Sequence, residues 1–243
     1  MVAATPHYAS SIGEHHMEFN LNNRKQTTVF LVITFILISA HYVSVLFEHT
    51  FGNNIALFDL GKEGNIPTMF STLLLLYSSL LLAFIWFVRR ERNEQDKNYW
   101  FWLSVIFLFL ATDEFSSIHE TIGNALERVF DKDGMLWFPW KIPFGIGLII
   151  FMIVYIKFLI QLPARTRNLF IISGFIFVMG AMNIELVEGF YKYIYKSPDF
   201  NYRVFEPLEE LLEMIGSIIF IRANLDYIVN ELGVSQICMK LKN

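Results

Sequence analysis

The chain alternates between long apolar runs and short polar connections. Six windows hold mostly apolar residues for the ~20 positions that span the hydrocarbon core of a bilayer. They cover approximately residues 27–47, 66–88, 99–122, 143–162, 168–191 and 207–229. In lipid, runs of this length satisfy their backbone groups as helices. The pattern predicts an all-α polytopic membrane bundle of six transmembrane helices, with no internal repeat. A polar tail (1–26) precedes the transmembrane domain (27–229), and a short tail (230–243) follows it.

Composition strengthens this picture. Of the 243 residues, 54% are hydrophobic and 17% charged, against ~25% charged in ordinary soluble domains. Mean hydropathy is +0.44. The net charge of −4 and the absence of a basic run exclude nucleic acid as a natural partner. Cys238 is the single cysteine, so no intrachain disulfide forms. The N-terminal 26 residues lack the apolar core of a cleavable signal, which predicts that the first span stays in the mature protein.

Lys and Arg set the orientation. Arg24 and Lys25 precede the first span. Arg89, Arg90, Arg92 and Lys97 join the second to the third, and Arg165 and Arg167 join the fourth to the fifth. Both termini are therefore expected on the cytoplasmic side of a multi-pass protein, in the cytoplasmic (inner) membrane of a bacterium. The segment "DKDGMLWFPWKIP" faces outward, and its Trp137 and Trp140 suit an interfacial belt.

The polar residues inside the spans change the picture most. An ionisable side chain at bilayer depth costs at least ~2.5 kcal/mol by insertion scales, so such residues face the bundle interior and pair. "ATDEFSSIHE" places Asp113, Glu114, His119 and Glu120 within the third span. At 3.6 residues per turn, His41 and Glu48 share a face of the first span. Glu185 and Glu188 share one on the fifth. Glu206, Glu209, Glu210 and Glu213 run along the sixth. Counted at ~1.5 Å per residue, these positions fall in the outer half of the membrane. Four helices are thus expected to converge on one carboxylate and histidine chamber, with Lys192 the nearest base at its rim.

So many carboxylates cannot all ionise together in a low dielectric. Either protons or a cation must neutralise them. Carboxylates with two imidazoles match a divalent cation (Zn, Mn or non-haem Fe) or a dinuclear pair. Candidate ligands are His41, Asp113, His119, Glu120, Glu185, Glu188, Glu209 and Glu213, with Asp113 and Glu120 as candidate catalytic carboxylates. Carboxylate-bridged dimetal bundles use Glu-x-x-His on two helices. Here Ser116 stands three residues before His119 and the sixth span has no histidine, so the match is one of ligand type only.

Three functions fit this chamber. The first is a membrane metalloenzyme, a hydrolase or oxidoreductase working on membrane lipid or another apolar substrate. The second is a proton- or cation-coupled transporter or channel, which the nearly bare inner halves of the spans disfavour. The third is a non-catalytic subunit or an ion or pH sensor, working as a homo-oligomer or within a membrane complex.

Overall fold

The computed structural model describes residues 16–20, 23–53, 55–127, 138–195, 200–234 and 236–240. Helices dominate. α1 (Asn23–Phe51) leads through a short 3₁₀ turn (Ala56–Phe58) to α2 (Ile66–Glu91) and α3 (Lys97–Ser116). Next come α4 (Ile118–Leu126), α5 (Lys141–Gln161) and α6 (Ala164–Val178). A π-helical stretch, Met179–Ile184, joins α6 to α7 (Glu185–Tyr195). α8 (Phe200–Phe205) and α9 (Pro207–Asn230) complete the bundle. At its ends, β1 (His16–Asn20) pairs antiparallel with β2 (Gln236–Lys240), an addition to the all-α expectation.

Four helical stretches are long and apolar enough to cross a membrane: α1, α2, α5 and the continuous run Ala164–Tyr195. α3 and α4 together make a fifth, bent by 73°. Their outer faces expose Val32, Phe35, Ile36, Val43, Ile149, Ile153, Ile171 and Phe175. That is far more apolar surface than a water-soluble monomer presents. α9 differs. It is rich in acids at its start, and it is the most enclosed helix, with Met214, Ile218, Ile221, Leu225 and Ile228 each about 1% exposed or less.

α9 packs against α1, α2 and α6, and α3 lies along α2. The α6–α9 crossing is close because Gly216 has no side chain. A Cβ there would sit 2.8 Å from the Phe177 nitrogen and 2.9 Å from the Ser173 carbonyl oxygen. Close backbone approach through small residues is how helices associate in lipid, where no hydrophobic force draws them together. At the end carrying the β ladder, Arg89 ties three elements. It donates to Asp96 (2.6 Å), to the Tyr227 hydroxyl (2.6 Å) and to Glu94 (2.5 Å), while the Trp100 indole donates to Asp96 (3.1 Å).

The third apolar window is not one straight helix. It breaks at Ser117, whose φ of 51° is left-handed. The Asp113 carboxylate accepts the His119 backbone N–H at 2.7 Å, a local bond that competes with the helix ladder and supports the start of α4. No proline is needed for this break. Trp140, expected in an interfacial belt, is instead buried against His119 and Phe144. Trp137 and most of "DKDGMLWFPWKIP" lie outside the described residues.

Candidate functional site

The break at Ser117 opens on a cavity of 630 Å³ between α3, α5, α6 and α9. α5 forms one wall. Only 11% of its apolar window is buried, because it touches the bundle mainly at its two ends. At the acidic end, Lys141 donates to the Met182 carbonyl (3.3 Å) and Trp140 lies on His119. At the other end, the Tyr155 hydroxyl donates to the Tyr99 carbonyl (3.0 Å) and Phe158 packs on Tyr99 and Trp100. Between these attachments, Phe144, Leu148 and Phe151 face Ile106, Phe107, Leu110, Phe177 and Phe220 across the cavity.

One end of the cavity is polar. Glu63, Asp113, Glu114, His119, Glu209, Glu210 and Glu213 line it. His119 bridges two carboxylates. Its Nδ1 pairs with Asp113 Oδ2 at 3.2 Å and its Nε2 with Glu63 Oε1 at 3.4 Å. The ring is therefore held at both nitrogens and packed at a tilt against Trp140, with centroids 5.0 Å apart. Glu114 lies within the electrostatic reach of Glu210, Glu213, Glu63 and Asp113. Ser71 donates to Glu210 at 3.4 Å. Among the described residues, no lysine or arginine lines the cavity.

A second ionisable cluster sits apart from the cavity, and Arg203 of α8 is its centre. Its guanidinium grips Asp59 with two 2.9 Å bonds, and it also donates to Glu206 (2.8 Å) and Glu48 (3.2 Å). Lys62 adds a further ion pair to Asp59 at 3.5 Å. Burial disfavours the Asp59 charge, yet the Arg203 bonds and charge outweigh it and hold its pKa below the ordinary value. Burial likewise works against the Arg203 charge, and Asp59, Glu206 and Glu48 more than offset it. His41 belongs here. Its Nδ1 accepts the Leu60 N–H (3.0 Å), which leaves Nε2 to donate to the Arg203 carbonyl (3.3 Å). The ring is fully buried and spans the 3₁₀ loop and α8, a fastening role.

The single chamber expected from the sequence is thus divided. Asp113, His119, Glu209 and Glu213 do line one cavity. His41 is in the Arg203 cluster and does not reach it. Glu120 is exposed on α4, because the bend at Ser117 turns it away from the cavity. Glu188 is buried and accepts the Tyr202 hydroxyl at 2.7 Å. Burial and Glu188 push the Tyr202 phenol well above its ordinary range, so it stays a donor. The Glu185 side chain lies outside the described residues. Glu206, just ahead of α9, is 9% exposed and bound to Arg203 in the second cluster. Among the described residues, no group of three or more His, Cys, Asp or Glu side chains is arranged to hold a metal ion.

The sequence reading missed Glu63, Asp59 and Arg203 as partners. Glu63 and Asp59 sit in a loop that looks like an ordinary outward connection. Arg203 lies in the polar segment between the fifth and sixth apolar windows. A signal existed in the charge balance: buried acids near the first-to-second loop required a base at their depth, and Arg203 is the basic residue shortly before the sixth apolar window.

The family model for a domain of unknown function, DUF8692, matches residues 27–228, and the chain belongs to that family. No curated protein and no solved structure matches the chain.

Proposed function

We propose that this protein is a multi-pass membrane enzyme acting on a lipid or other amphiphile. The apolar part of the substrate occupies the cavity, and its reacting headgroup meets Glu63, Asp113 and His119. The observation that carries the reading is the cavity itself: one long apolar space whose acidic end holds an imidazole fixed between two carboxylates. Its 630 Å³ falls within the ~300–1,000 Å³ of small-molecule sites. Asp113 orients the ring by accepting both the His119 backbone N–H and a ring contact, as the orienting carboxylate of an acid–base pair does. His119 then holds or moves the proton, and Glu63 is its second station. In this reading α1, α2, α3–α4, α5, α6–α7 and α9 make six crossings. The paired β1 and β2 support both ends lying on one side, and the Lys/Arg excess supports that side being cytoplasmic.

Alkyl chains carrying a photoreactive group test the occupancy. Cross-links should concentrate on Phe144, Leu148, Phe151 and Phe220. Labelling spread evenly over lipid-facing Ile149 and Ile153 would sink the proposal.

A second reading keeps a divalent cation, Zn, Fe or Mn, at the acidic end. The crowding of Glu114 with Glu210, Glu213, Glu63 and Asp113 favours it, since a cation drawn among these groups relieves their repulsion. Elemental analysis of detergent-purified protein separates the two. Stoichiometric metal that is lost in His119→Ala supports the cation. Metal-free protein that still takes the photoreactive chain leaves the cation-free acid–base site standing alone.

A further inference from the structure

Phe158 closes the end of the cavity opposite the acids. It is 2% exposed, stacked on Tyr99 (5.0 Å between centroids) and packed edge-on to Trp100 (5.2 Å). A second, smaller cavity of 270 Å³ lies beyond it, lined by Arg89, Asp96, Gln161, Leu162 and Tyr227, and Phe158 lines both spaces. One ring therefore separates a large apolar cavity from a polar vestibule at the other end of the bundle. Along α5, Trp140 to Phe158 is 18 residues, or roughly 27 Å at the helical rise. Partway along, Gly147 of α5 and Gly174 of α6 line the same cavity, and a Cβ at either would meet no atom within 4 Å.

We infer that Phe158 is the end stop that sets the longest apolar chain the protein accepts, and that the open glycine positions keep the path to it clear. This rests on the proposed occupancy of the cavity by an amphiphile. The physical reason is packing. A chain moved from lipid into protein gains little from the hydrophobic effect, because lipid is equally apolar. Selectivity then comes from filling the cavity without void or clash. A chain that ends short of Phe158 leaves a gap. One that is too long presses on a ring held by Tyr99 and Trp100, with paired charges behind it.

The test uses the full chain in nanodiscs and a graded series of saturated single-chain primary amines, chosen because carboxylates line the polar end. Thermal stabilisation is read against chain length for each variant relative to its own unliganded midpoint. The wild type should show an optimum length. Phe158→Ala should move that optimum to chains longer by roughly two to four carbons, the space vacated by the ring. Phe158→Leu, which keeps more of the packing, should move it the same way by less. Gly147→Leu, which fills open space, should move it to shorter chains. An optimum that stays at the wild-type length in both Phe158 variants overturns the end stop while leaving the cavity reading intact. A wild type stabilised equally by every length, or by none, overturns the amphiphile reading itself.

Discussion

Two ionisable clusters lie toward the same end of this bundle and obey opposite rules. In the Arg203 cluster each buried acid has a base. Arg203 and Lys62 answer Asp59, and Arg203 with the field of Lys192 answers Glu206. Asp59 and the His41 ring are fully enclosed, and neither lines the large cavity. At the cavity end, Glu114 lies within reach of four other acids, and an imidazole is held between two carboxylates. The first arrangement fastens the 3₁₀ loop and α8 onto α1. The second keeps like charges close at a place where something can enter. Charge in a membrane protein thus serves either cohesion or chemistry, and the partners of the charge, more than its depth, distinguish the two.

The comparison breaks most visibly at Arg203. Arg203→Met leaves the enclosed Asp59 without its main partner, and removing one member of a buried pair costs about 3–5 kcal/mol. A large fall in the unfolding midpoint is expected in detergent or nanodiscs. Unchanged stability would show that the cluster fastens nothing. A smaller loss is expected for Asp113→Ala. It removes the acceptor for the His119 N–H at the start of α4, an effect of about 1–2 kcal/mol. It should also abolish stabilisation by added amphiphile. Full retention of that response would separate Asp113 from ligand recognition.

The sign should reverse at Glu114. Glu114→Gln replaces a carboxyl crowded by Glu210, Glu213, Glu63 and Asp113 with a neutral amide of the same shape, and a gain of about 0.5–1 kcal/mol is expected. A loss as large as that of the Arg203 variant would place Glu114 among the fastening residues. The smallest effect concerns pH. Asp59 titrates below its unfolded value of ~3.9, so its contribution is complete above that pH and fades as pH falls through the lower folded value. Glu206 runs the other way. Burial raises its pKa, so it favours folding below its unfolded value of ~4.3, and that contribution is lost as pH rises through the folded value. Asp59→Asn should flatten the acid limb of the stability profile, and Glu206→Gln should flatten the limb above it. Identical profiles in all three proteins would contradict this assignment.

Much of the fold was legible before any coordinates. The second window, 66–88, coincides with α2, which begins where the Asn65 side chain accepts the Thr68 N–H at 3.1 Å. The sixth, 207–229, coincides with α9, opened by Pro207. Apolar periodicity and a proline or cap are local signals, so the chain itself carries them. The site was legible in kind only. Of the residues that helical spacing put forward, Asp113, His119, Glu209 and Glu213 line one cavity. Spacing could not say which helices would stand next to which.

What the sequence determined by itself is therefore a helical chain with several apolar stretches able to cross a membrane, the presence of acids and histidines that lipid would not tolerate uncovered, and the basic residues gathered in alternate loops. Each follows from the cost of placing a polar group in hydrocarbon, which applies residue by residue. Only the tertiary structure decided that these groups form two clusters. The left-handed turn at Ser117 swings Glu120 outward and puts His119 beside Glu63. The α8 helix brings Arg203 across to Asp59, 144 residues away in the chain. The gap between α5 and the rest of the bundle makes a cavity from side chains that would otherwise be ordinary lipid-facing surface. These are consequences of helix adjacency and of one local bond winning over a helix ladder, and no periodicity encodes either.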